Sequence, residues 1–204
     1  MTFGRRPHPT ARRRRRGFGL CIGSLLVGCS GTVTPAPAPP HPTTIYVCDY
    51  GYHSSLLLPV GDDGTFVEYL YGDWDWAVLN HTGALAAIHA GLFSPAATLG
   101  RRYVYAPLHA VPRPVTMPVT QVALVVDGDA CQRLQRSLDA RWRAHADTAV
   151  YTGPAGSFYL FVRDAEPYGL LHNCNRLTAD CLDQLGCTTG GLPLLSHFTV
   201  ETRR

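Results

Sequence analysis

The sequence predicts an α+β domain. Three observations lead there. Runs rich in β-branched and aromatic residues are bounded by Gly and Pro, two stretches carry apolar residues at helical spacing, and the two kinds follow each other in mixed order with hairpins. Strict strand–helix alternation, the pattern of a doubly wound parallel sheet, is absent from this order. No internal repeat is present.

"TTIYVCDY", Thr43 to Tyr50, reads as the first strand of the domain. "HSSLLLPV" follows as a short apolar run, stopped by Pro59 and by "GDDG" at Gly61 to Gly64. "TFVEYLYGD" resumes strand character, so residues 54–71 form a hairpin. The alanines and apolar spacing of "HTGALAAIHAGLF", residues 81–93, predict a helix. A β region broken by prolines comes next, in "RYVYAPL", "PVTMPV" and "TQVALVVDGD". "DACQRLQRSLDARWRAH" is an amphipathic helix with Leu134, Leu138 and Trp142 on one face. "SFYLFVRD" adds a strand. A closing helix runs from an N-cap at Asn173 to a C-cap glycine at Gly186.

The segment before this domain is of a different kind. Arg12 to Arg16 precede a short apolar run, Gly17 to Val27, as a basic n-region precedes the h-region of a signal peptide. The run is too short for an ordinary membrane-spanning helix. It ends in "LLVGCS", which resembles a bacterial lipobox with Cys29 as the acylated first residue of the mature chain. Ser30 is compatible with sorting to the outer membrane more than the inner. A plain secretion signal or an uncleaved anchor is the alternative. "GTVTPAPAPPHPTT" then reads as a polyproline spacer outside the core. The expected organisation is a lipoprotein signal peptide over 1–28, a Pro-rich tether over 29–42 and one globular domain over 43–204 facing the periplasm.

Charge excludes one class of partner. Seven of the 18 basic residues lie before Cys29 and all 15 acidic residues after it, so the mature chain holds 11 basic against 15 acidic residues, a net −4 with histidine neutral. The basic balance of the whole chain belongs to the leader, and nucleic-acid binding is not expected. The membrane, through the lipid anchor, is the expected partner. No sequence signal calls for a cofactor.

Of seven cysteines, Cys21 sits in the h-region and Cys29 in the lipobox, leaving Cys48, Cys131, Cys174, Cys181 and Cys187. An oxidising compartment permits disulfides, and an odd count leaves a free thiol unless chains pair. In the closing helix, Cys174, Leu177, Thr178, Cys181, Leu182 and Leu185 share one face. Cys174 opens that helix, where unpaired amides favour thiolate and can hold an oxyanion. Cys174 is therefore a candidate nucleophile. The alternatives are a small buried apolar residue, as expected for Cys181, or a disulfide to Cys48, Cys131 or Cys187. A thiolate needs a base, and His53, just before a predicted strand, is the candidate. That base needs an orienting acid. Glu68 on the next strand is preferred, with Asp73 second. Trp74 and Trp76 line a pocket or pack in the core. A zinc site from His53, Asp73 and Cys174 has suitable ligand types but lacks a close-spaced ligand pair.

"GYHSSLLLP", "EYLYGD" and "HNCNRLTA" together resemble a family of exported bacterial proteins, a domain of unknown function sometimes encoded near urease genes. In that family the stretches look like Gly-Trp-His-Thr-Gly, an acidic Gly-Trp-Gly-Asp segment and Thr-Cys-Asn-Thr-Trp-Thr-Ala. Tyr52 stands here for the tryptophan, Ser55 for the glycine, Asn173 for the threonine and Leu177 for the second tryptophan. The matched blocks span residues 43–187. More remotely, a histidine at a strand start before a cysteine opening a later helix is similar to the circularly permuted papain-like superfamily. That group includes NlpC-type cell-wall peptidases and amidases and lecithin:retinol acyltransferase-like enzymes. The similarity implies a papain-like core, its mostly antiparallel sheet packed against the cysteine-bearing helix. By position it implies Cys174 as nucleophile, His53 as base and Glu68 as orienting residue, with Tyr52, Asn173, Asn175, Asp73 and Trp74 as binding residues. The expected activity is thiol-dependent hydrolysis or acyl transfer on cell-wall peptides or acyl lipids. The competing expectation is a non-catalytic envelope lipoprotein that binds a ligand or protein partner.

Overall fold

A computed structural model describes residues 30–51, 53–81, 89–92, 94, 96–105, 120–152 and 158–202. The strands are β1 (Gly31–Thr34), β2 (Pro42–Asp49), β3 (Ser54–Pro59), β4 (Thr65–Asp73), β5 (Ala97–Tyr105), β6 (Thr120–Asp127), β7 (Val150–Thr152), β8 (Tyr159–Asp164), β9 (Thr188–Gly190) and β10 (Phe198–Val200). The helices are α1 (Trp74–Ala77), α2 (Gly128–Arg143) and α3 (Cys174–Gln184). Among the described residues, one sheet has the order β6-β2-β3-β4-β5-β8-β7, every neighbouring pair antiparallel. The fold is α+β, as the hairpin pattern of the sequence implied.

Alternation along the strands divides the sheet into two faces. Ile45, Val47, Leu56, Leu58, Val67, Tyr69, Leu124 and Val126 form the face that meets the helices. Ala130, Cys131, Leu134 and Leu138 of α2 pack there, with Ala179, Cys181 and Leu182 of α3 and Leu185 just beyond it. Both apolar stripes read from the sequence are therefore buried, with Leu177 partly covered between two clusters. Side-chain bonds fix α2 on the sheet. Tyr69 Oη donates to Asp139 (2.9 Å), Arg101 donates to the same carboxylate (2.8 Å), and Trp142 Nε1 donates to the Leu160 carbonyl (3.0 Å). Asp127 caps the start of α2 by accepting from the Ala130 amide.

The opposite face holds Cys48, Leu57 and Phe66 with Tyr46 and Val104 against them. Glu68 and Ser55 lie on this face too, both fully buried. Gly100 is required here, because a Cβ would collide with the Phe161 ring.

The tether expectation needs correction. Residues 1–28 and Cys29 lie outside the described residues, but Gly31–Thr34 is β1, the middle strand of a second, three-stranded sheet, β10-β1-β9. It pairs parallel with β10 and antiparallel with β9, and Val33 is fully buried in the main core. The physical reason is local. Thr32, Val33 and Thr34 are three β-branched residues in a row, a strand signal that the following Pro-Ala repeat obscured. The globular body thus begins well before residue 43.

Of the helix expected over 81–93, residues 89–92 are helical and most of the remainder lies outside the described residues, as does "PVTMPV". β7, β9 and β10 have three residues each, too few for alternation to be read. No helix among the described residues is long and apolar enough to cross a membrane.

Candidate active site

Asn173 adopts extended backbone and its side chain accepts from the Arg176 amide, so α3 starts where the sequence placed it. Cys174 is the first helical residue and is 4% exposed. On the sheet, His53 immediately precedes β3. The two elements are joined by Asn175, which is fully enclosed. Its Oδ1 accepts from the Ser54 amide (3.1 Å) and from Ser54 Oγ (2.8 Å), and its Nδ2 donates to the Leu194 carbonyl (3.1 Å). Ser54 Oγ also lies 3.0 Å from Thr178 Oγ1. These bonds fix the backbone next to His53 onto the first turn of the cysteine helix. Asn175, expected as a binding residue, is here a clamp between helix and strand.

The surroundings of the Cys174 sulfur favour its ionised form. Burial by itself pushes the thiol up, but the charge of His53 first, then hydrogen bonding from His53, from the Ser54 amide and from Tyr168, bring it below its ordinary value. His53 Nε2 is buried and has no hydrogen-bond partner among the described residues, and the charge of His53 is the first of the influences that favour thiolate. Tyr168 Oη sits 3.8 Å from Sγ. Burial, then the nearby sulfur, push its phenol well up, so it stays protonated and able to donate.

The other cysteines differ in direction. Burial pushes Cys48 and Cys181 up to about 12 and Cys131 up to about 11, and it also raises Cys187. All five of these described thiols, Cys174 included, are free and buried. Cys174 is the one whose thiol is lowered.

The expected role of Glu68 is not what the geometry gives it. β4 alternation puts Glu68 on the sheet face away from α3. Its carboxylate accepts from Tyr50 Oη (2.6 Å), Arg102 Nε (2.7 Å) and Ser55 Oγ, and makes no hydrogen bond to His53. Tyr50 links the two groups instead. Its ring stacks on the His53 ring at 5.7 Å with an interplanar angle of 23°. The acid therefore holds a tyrosine that braces the histidine.

Asp73 is not an orienting acid either. It caps α1 through the Trp76 amide (2.8 Å) and accepts from Ser94 Oγ (2.5 Å). Trp74 is buried, with Arg163 stacked 4.2 Å over its ring. Tyr52 lies outside the described residues. His172, two residues from Cys174, faces Glu166 at 2.8 Å and the edge of Tyr71. Among the described residues no three His, Cys, Asp or Glu side chains converge as a metal-binding group.

Tyr168 and Tyr50 were missed in the sequence. Tyr168 reaches the sulfur because residues 169 and 172 bridge in a tight turn that folds the chain back just before α3. Such a turn has no periodic signature.

Compared with protein-family models, with curated proteins and with solved structures, the chain matches none. The functional reading therefore rests on the residues themselves.

Proposed function

We propose that the chain is a lipid-anchored envelope protein whose Cys174 and His53 form a thiolate–imidazole pair for acyl transfer, on a core of permuted papain-like type. The observation that carries this reading is the placement of His53 beside the first residue of α3, with Cys174 alone among the described thiols biased towards ionisation. The Cys174 thiolate attacks an amide or ester carbonyl carbon, and the resulting oxyanion is held by the amides that open α3. The tetrahedral species collapses as His53 gives its proton to the leaving amine or alcohol. Water, deprotonated by His53, or another acceptor then releases the acyl group and restores the thiolate. The unpaired Nε2 is free for this proton traffic. Tyr168 donates to the sulfur in its resting state. Cell-wall peptides and acyl lipids are the substrate classes that an envelope location makes accessible.

One observation favours the second reading, a non-catalytic binding protein. Cys174 is 4% exposed, and the cavity it lines with Ser54, Tyr71 and Cys181 measures about 10 Å³, about one water. A small activated ester separates the two. Incubating the purified protein with p-nitrophenyl acetate should give a burst of nitrophenolate and an acetyl group on the Cys174 peptide by mass spectrometry. An unmodified Cys174 with no burst, in folded protein, supports the binding reading instead.

A further inference from the structure

Two loops around Cys174 expose leucine where polar residues are the rule. The turn closed by Gly169 and His172 carries Leu170 and Leu171 at its tip, 50% and 71% exposed. The segment between β9 and β10 carries Leu192 and Leu195, 46% and 39% exposed. The two asparagines that flank Cys174 hold one loop each. Asn173 Nδ2 donates to the Leu170 carbonyl (2.8 Å), and Asn175 Nδ2 donates to the Leu194 carbonyl (3.1 Å). The leucines are thus a rim fastened to the site, not scattered surface residues.

The start of the folded body lies against the same rim. The Gly31 amide donates to the His197 carbonyl (3.2 Å), and Gly191, at a φ of 78°, leaves no room for a side chain because the Ser30 carbonyl packs against it. Gly191 and His197 bracket the leucine segment. Cys29 directly precedes Ser30, and one residue spans only about 3.5 Å. An acylated Cys29 would therefore bring the membrane to this end of the molecule, with no spacer between anchor and body.

We infer that Leu170, Leu171, Leu192 and Leu195 dip into the bilayer to which the chain is anchored, so that the Cys174 site faces the lipid surface and draws an acyl substrate carried by a membrane lipid. This inference rests on the anchored-thiol reading above and narrows its substrate class. Partial insertion of apolar side chains from a protein already held at the surface is the physics of interfacial anchoring, and the lipid tether supplies the second attachment that stable binding requires.

The test uses the whole protein in vesicles of phosphatidylethanolamine and phosphatidylglycerol. In a Cys174→Ser background, an environment-sensitive fluorophore is attached through Leu171→Cys, Leu192→Cys or Asp62→Cys. Asp62 lies in the β3–β4 turn, at the end of β3 away from His53, and is exposed. Labels at positions 171 and 192 should shift to the blue and be quenched by nitroxide-bearing lipid, while the label at 62 stays in a polar environment. Mass spectrometry of the same samples reads acylation of Cys29. Acylated protein in which all three labels behave alike overturns the inference. Blue-shifted labels without Cys29 acylation show that the rim binds lipid while the anchor reading fails. Because Cys174 is replaced throughout, the outcome does not depend on whether the thiol is catalytic.

Discussion

Replacing His53 with alanine is expected to slow alkylation of Cys174 by iodoacetamide at pH 6 by about 10- to 100-fold, with the protein still folded. The sign follows from the site. Below the thiol pKa the thiolate fraction falls about tenfold for each unit by which that pKa rises. His53 is the largest influence lowering the Cys174 thiol, and without it burial, which raises the thiol, is opposed only by the weaker hydrogen bonding of the Ser54 amide and Tyr168. The variant should therefore react as an ordinary or sluggish buried thiol, and its rate should keep climbing through pH 9 where the wild type has levelled off. Mass spectrometry assigns the modified residue, and Cys174→Ala should remove the fast phase completely. Equal rates in wild type and His53→Ala would mean that the two side chains do not act as a pair.

The largest stability effect is expected on the other face of the sheet. Glu68→Ala should destabilise the protein by about 3–5 kcal/mol, read as a lower urea midpoint with an unchanged slope. Glu68 is completely buried and Arg102 keeps 15% of its side chain exposed, so their 2.7 Å contact is shielded from water. Burial works against the Arg102 charge, yet Glu68 first, together with Tyr159 and Tyr50, more than offsets it and keeps the guanidinium charged. Removing the carboxylate leaves that charge without its partner, together with the Tyr50 and Ser55 hydroxyls. Glu68→Gln preserves shape but not charge, and should retain only part of the stability. Through Tyr50, both variants loosen the ring that stacks on His53. A modest slowing of Cys174 alkylation should accompany the loss of stability.

Much of the fold was legible because its signals are periodic. α2 and α3 carry apolar residues every three or four positions and bury those residues. The β3–β4 hairpin is marked by Pro59 and the Gly61–Gly64 turn, with both glycines at positive φ. His53 and Cys174 could be singled out because His53 immediately precedes β3 and Cys174 is the first residue of α3, both at the ends of regular elements. Their juxtaposition depends on Asn175 and Ser54, a pair 121 residues apart in sequence, and no local pattern announces it.

Glu68 departs from the expected role because strand adjacency alone does not set which face a residue takes. Val67 and Tyr69 face the helices, so the residue between them must face away. Tyr168 was hidden by a turn, and β1 by the prolines that follow it. The turn is a chain reversal without periodicity, whereas the β1 signal is local, in three consecutive β-branched residues.

The most direct measurement is a thiolate titration by ultraviolet absorbance, wild type minus Cys174→Ala, between pH 4 and 10. Subtraction isolates one sulfur, and Cys48, Cys131 and Cys181 remain thiols over this range because burial raises them to about 11 or 12. A single thiolate is expected in the difference signal, titrating below the ordinary cysteine value and moving upward in the His53→Ala background. A difference signal that stays flat until pH 9 would contradict it, and with it the claim that His53 makes Cys174 a nucleophile.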